Sequence, residues 1–235
     1  GINVSKGLIT NLTFRVKSTG FSSLRFRDET KVYLNDGRGT SVFYQTNNGV
    51  YNLVLPPPAG PIVVSETHPD QSRWYSSASV LLTWAPESEV DGYSYILNEQ
   101  AVDIPDDISE GVRNSIAYKN LADGIQYFHI KSLREGRWGG VSHYALQIDA
   151  TPPAQFPVEF SPSKKTTEHE PVVRFQTTDA HSGISHYEIK WVPLGDGQEP
   201  FFIEAQSPFL LPSLEIGSYD IIVRAYDNAG NFIDV

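Results

Sequence analysis

The sequence predicts an all-β chain of tandem β-sandwiches, and three features predict it. Short runs of β-branched and aromatic residues recur along its length. Turns rich in glycine, asparagine and aspartate separate them. Two proline clusters cut the chain into segments, and the last two segments repeat each other.

The strand signals come in order. They are LTFRV (12–16), SVLLTW (79–84), YFHIKSL (127–133), VVRFQT (172–177), HYEIKWV (186–192) and YDIIVRA (219–225). Between them lie NDGRG (35–39), NNG (47–49), VDG (90–92) and LGDG (194–197), residues that accept the positive φ of tight turns. No long stretch carries a helical period with caps, and DDISEGVRN (106–114) has room for one helical turn at most. Many short strands between turns are the pattern of sandwiches and barrels.

The proline clusters PPPAGP (56–61) and DATPPAQFP (149–157) lack the N–H groups a central ladder needs, and they run stiff and extended. They divide the chain into 1–57, 61–150 and 151–235. The last two are the length of seven-stranded sandwiches. Their sequences run in parallel: VLLTWAPESEVDGYSYIL (80–97) with VVRFQTTDAHSGISHYEI (172–189), and LADGIQYFHIKSLREGRW (121–138) with LEIGSYDIIVRAYDNAGNF (214–232). Trp84 then corresponds to Phe175 or its neighbour, Gly92 to Gly183, and Arg134 to Asp227.

Composition removes several function classes. The 235 residues carry a net charge of −10 with no basic run, which argues against nucleic-acid binding. The longest apolar runs, Val80-Leu81-Leu82 and Ile221-Ile222-Val223, are too short to cross a bilayer. With no cysteine there is no disulfide, thiolate metal site or cysteine nucleophile. No G-x-S-x-G elbow or glycine-rich phosphate loop is present, and no catalytic residue is assigned. The six histidines are scattered, without the paired spacing of a zinc helix.

Segments 61–150 and 151–235 resemble the fibronectin type III-like and bacterial immunoglobulin-like modules of large surface proteins. The resemblance rests on Trp84 in LTW, on LADGIQY (121–127), which looks like the leucine-to-tyrosine corner before the sixth strand, and on the joint IDATPP (148–153). TTDAHSGISHYEI (177–189) with VRAYDNAGN (223–231) resembles the paired loops of the Asp-Gly-rich variants. Segment 1–57 resembles the C-terminal part of a cohesin-type jelly-roll sandwich, through GLITNLTF (7–14) and YLNDGRGT (33–40).

The resemblance implies a non-catalytic stalk, scaffold or adhesion segment of a prokaryotic extracellular or cell-surface protein, expected to be a window of a longer chain. Partners are expected to be protein or carbohydrate at that surface, with self-association open. Two alternatives stay open. One is a cohesin-type protein-binding module or accessory carbohydrate-binding region of a polysaccharide-degrading enzyme. The other is a subunit of a self-assembling filament or layer.

In such a sandwich the loops after the second and sixth strands share one pole. That brings Asp179 toward Asp227, Asn228 and Asn231 as a candidate calcium site. Calcium takes six to eight oxygens, and two carboxylates with two amides are a thin set. The other reading has these side chains bonding their own backbone, with Gly230 supplying a positive φ. Arg134 at the position of Asp227 shows that the preceding repeat does not keep the ligand set, which favours the tie over the ion. No other cofactor is expected. Trp74, Tyr75 and Trp138 lie near loops, where they either pack at module ends or stack on sugars or a partner.

Overall fold

The computed structural model describes residues 11–15, 18–34, 36–42, 45–54, 56–85, 89–195 and 200–235. Among these residues there is no helix, and sixteen strands carry the regular structure. Gly1–Pro56 and Pro57–Val235 are separate compact units.

In the first unit, β1 (Gly20–Leu24) pairs antiparallel with β2 (Gly49–Leu53), and a single bridge joins Tyr33 to Ser41. None of its described residues is buried. The strand expected at 12–16 does not form over its described residues 12–15, which are exposed. Leu12 and Phe14 alternate as a strand would, but no partner ladder covers them among the described residues. Residues 7–10 of GLITNLTF lie outside the described residues.

The second unit contains two sandwiches. The first has β3 (Ile62–Ser65), β4 (Trp74–Tyr75), β5 (Val80–Ala85), β6 (Gly92–Asn98), β7 (Ser115–Tyr118), β8 (Gly124–Arg134) and β9 (Arg137–Ile148). They form the sheets β3-β5-β7 and β4-β9-β8-β6, antiparallel except where β4 runs parallel to β9. The second has β10 (Val158–Ser161), β11 (Val172–Phe175), β12 (Ile184–Pro193), β13 (Ile203–Ala205), β14 (Phe209–Leu210), β15 (Tyr219–Asp227) and β16 (Phe232–Asp234). Its sheets are β10-β11-β14 and β13-β12-β15-β16. Three strands facing four, with the chain passing repeatedly from one sheet to the other, is the immunoglobulin and fibronectin type III plan.

Each sandwich owns its core because alternate residues point inward. In the first, Val80, Leu82 and Trp84 of β5 face Phe128 and Ile130 of β8 and Tyr144, Leu146 and Ile148 of β9. Trp84 is the central indole, 5.7 Å from Tyr93 and 5.8 Å from Phe128 between ring centroids. In the second, Val173 and Phe175 face Ile189, Val223 and Ala225, and Phe156 folds into the core from the proline joint. Phe175 thus takes the place of Trp84, as the repeat predicts. Tyr127 lies within β8, not before it, on the outer face; Phe128 takes the inward position.

The repeat extends to a pair of cation–aromatic contacts. Lys131 on β8 lies over the ring of Trp138 at 4.8 Å, and Arg224 on β15 lies over Phe232 at 4.2 Å. Each cation also has a carboxylate partner, Asp107 or Asp234. The equivalent aromatics Trp138 and Phe232 therefore carry cations on their faces.

The turns after the sixth strand differ more than the alignment suggests. Glu135 and Gly136, both at positive φ, close β8 onto β9 in two residues, a tight hairpin turn. In the second sandwich the loop 228–231 is longer, with Gly230 at φ 93° and the amide N–H of Asp227 bonded to the carbonyl of Asn231 at 3.0 Å.

Candidate functional site: an acidic joint between the sandwiches

The loops after β11 and β15 meet at one pole of the second sandwich, as the sequence predicts. There they meet the end of β9. One carboxylate oxygen from each of Asp149, Asp179 and Asp227 lies within 4.8 Å of the others. Asp149 and Asp227 are buried; Asp179 is half-buried.

Each carboxylate is held by N–H donors. Asp149 accepts from the backbone of Thr151 at 3.2 Å and of Ser182 at 3.0 Å. Asp179 accepts from His181 at 3.0 Å and Gly183 at 2.9 Å. Asp227 accepts from Ala229 at 2.9 Å, from Asn231 N–H at 2.8 Å and from the Asn231 side chain at 2.7 Å. Burial alone pushes the Asp179 carboxyl up. The N–H groups of Gly183, His181 and Ser182 together hold it below the usual carboxylate range.

The two asparagines act as donors. Asn231 Nδ2 divides its hydrogens between Asp227 Oδ2 and the carbonyl of Asp149, both at 2.7 Å. Asn228 Nδ2 donates to the carbonyl of Ser182 at 2.7 Å, and its backbone N–H donates to Gly183. Both acceptors of Asn231 are oxygens, which fixes the orientation of its amide. A cation at this pole would draw its charged ligands from Asp149, Asp179 and Asp227, while Asn228 and Asn231 offer N–H groups, the polarity of a tie.

Asp149 makes the pole a joint. From the first sandwich, Tyr75 accepts the Asp149 N–H at 3.0 Å, and Asp123 accepts the Ala150 N–H at 2.8 Å and the Thr151 hydroxyl at 2.5 Å. From the second, Ser182 and Asn231 hold Asp149, Thr178 accepts the Ala154 N–H at 3.0 Å, and the Thr177 hydroxyl donates to the Ala154 carbonyl at 2.5 Å. The short connection is gripped from both sides, and Pro152 and Pro153 stiffen its middle. In the first sandwich a simpler tie joins the equivalent loops, where Asp91 Oδ2 accepts the Glu135 N–H at 2.6 Å.

The sequence places Asp179 and Asp227 together and misses Asp149. Its only signal is position: the last residue before the proline joint, in the motif IDATPP.

No family model matches the chain, and no curated protein matches it. Among solved structures it is similar to the fibronectin(III)-like modules of Clostridium thermocellum CbhA, at 16% identity and a TM-score of 0.40, covering 74% of this chain and 90% of that one. It is also similar to domains A168–A170 of titin, at 12% identity and a TM-score of 0.46, covering 90% of this chain and 84% of that one. At these values the likenesses carry no functional argument.

Proposed function

We propose that this chain is a non-catalytic stalk or scaffold segment of a prokaryotic extracellular or cell-surface protein, in which sandwiches are held at a fixed angle by an acidic joint. The observation that carries it is the double grip on 149–154. A flexible tether needs no such bonds, whereas a spacer that must hold direction does. The net charge of −10 supports the reading by keeping an extended array soluble. Contact with a surface partner, protein or carbohydrate, is supported by the excursion between β6 and β7, which exposes Val102, Ile104, Ile108 and Val112. A cohesin-like role for 1–57 rests on the sequence resemblance alone.

Spin labels test the joint cleanly, because the chain has no native cysteine. With labels at the exposed positions Lys119 and Glu215, pulsed electron–electron resonance is expected to give one narrow distance distribution. Asp123→Ala combined with Asn231→Ala broadens it. A broad distribution in the parent chain refutes the stalk reading.

The same pole supports a second reading, calcium held by Asp149, Asp179 and Asp227. The convergence of three carboxylate oxygens within 4.8 Å favours it.

A further inference from the structure

The scattered histidines are not all scattered in space. His129 and His143 are direct cross-strand partners on β8 and β9, and their Nδ1 atoms lie 2.6 Å apart. Their rings stand nearly perpendicular, at 76°. His129 is fully buried on the outer face of the sheet, beneath the excursion that begins at Asn98; His143 is exposed.

The hydrogen bonds determine which nitrogens carry protons. Asn98 Nδ2 donates to Asp103 at 2.7 Å, and Asn98 Oδ1 accepts the Gln100 N–H at 2.9 Å, so the amide orientation is fixed. His129 Nε2 lies 3.2 Å from that same Oδ1 and must be the donor. The Nδ1 of neutral His129 therefore carries a lone pair, and it points at His143. Burial, and then the charge of His143, hold the His129 pKa below its ordinary value, which keeps the lone pair free at neutral pH.

We propose that His129 and His143 chelate a divalent transition-metal ion through their two Nδ1 atoms, with Asn98 orienting His129. A metal-bound imidazole characteristically donates its other N–H to a carbonyl or carboxylate, which fixes the tautomer and the ring. Here that donation is already made, and Asp103 anchors the acceptor. Imidazole pairs suit zinc, nickel and copper(II). Zinc–nitrogen bonds of about 2.0–2.1 Å at a tetrahedral angle set the nitrogens roughly 3.3 Å apart. The pair must open by less than an ångström, and His143 faces solvent, where it can swing and where the ion enters.

Proton balance follows from the tautomers. In the neutral metal-free pair, His143 carries its proton on Nδ1 and donates it to His129 Nδ1. On binding, that proton moves to His143 Nε2 through solvent, and none is released. From a singly protonated pair, one proton is released to buffer.

The test uses the full chain with ZnCl2 and CuSO4. Isothermal titration is expected to show one zinc ion bound with micromolar affinity, and copper(II) resonance spectra to show coupling to two nitrogens. His143→Ala removes the site while leaving the circular dichroism unchanged, since His143 is exposed. Asn98→Leu weakens zinc about 10- to 100-fold, the usual effect of losing an orienting partner. His169→Ala, remote in the second sandwich, changes nothing. Zinc binding by His143→Ala equal to that of the parent overturns the proposal, as does an absence of binding up to millimolar zinc.

Discussion

Asn231 separates the two readings of the joint. One amide nitrogen serves two acceptors, the Asp149 carbonyl and Asp227 Oδ2, each at 2.7 Å. Asn231→Ala removes one ordinary hydrogen bond, worth about 1 kcal/mol, and one to a charged acceptor, worth about 1.5–3 kcal/mol. The expected loss is about 3 kcal/mol for the second sandwich. Asn231→Asp keeps the shape and reverses the polarity, adding a carboxylate beside three others. A pair of like charges about 4 Å apart repels by roughly 4 kcal/mol at an effective dielectric of 20. The added cost cannot exceed that of protonating the new carboxyl. From a reference pKa of about 3.9, that is about 4 kcal/mol at pH 7. Near pH 4 the cap vanishes and the neutral acid donates one bond, so Asn231→Asp becomes no worse than Asn231→Ala. Urea unfolding at pH 7 and pH 4.5, followed by tryptophan fluorescence in a background where Trp74, Trp84 and Trp138 are phenylalanine so that Trp191 of the second sandwich reports alone, measures both. If Asn231→Asp is as stable as the parent at pH 7, or if the parent itself gains stability on adding calcium, the pole holds a cation and the clamp reading fails.

Other outcomes are as specific. EDTA is expected to leave the melting temperature unchanged; a fall of more than about 5 °C, restored by calcium and absent in Asp227→Ala, establishes an ion, since a bound ligand stabilises by mass action. Trp84→Phe is expected to cost less than about 1.5 kcal/mol in chemical denaturation, because the buried Nε1 has no described hydrogen-bond partner to lose, whereas Trp84→Ala costs about 3–5 kcal/mol. The carboxyls of Asp179 and Asp234 sit below their ordinary range, Asp234 chiefly through its hydrogen bond to Arg224. The unfolded chain therefore takes up these protons first. Their contribution is present above about pH 4 and lost as pH falls through the folded values. Melting curves from pH 7 to pH 2 are expected to show that loss, smaller in Asp179→Asn.

The architecture of 61–235 was legible because a period of two, interrupted by turn residues, is a local signal. Trp84 and Phe175 could be placed in the core from their strands alone. Residues 12–15 show the limit of that signal: their alternation has no covering ladder among the described residues. Asp149 was illegible as a site residue because it stands 30 and 78 positions from its neighbours Asp179 and Asp227, and only the docking of one sandwich on the other brings them together. The histidine pair was hidden by a single residue. Counting back from the Glu135–Gly136 turn pairs Arg134 with Arg137 and would set His129 against Ser142. A register shift between Lys131 and Leu133 moves the pairing by one and brings His143 alongside. Bulges of this kind leave no clear mark in the residues that make them.

The double grip on residues 149–154 bears on how length would scale. Modules strung on flexible linkers extend as the square root of their number, so doubling the count lengthens the chain about 1.4-fold. Modules set at a fixed angle extend in direct proportion, and doubling the count doubles the reach. A joint of six residues would then decide how the end-to-end length of such an array grows with the number of its modules.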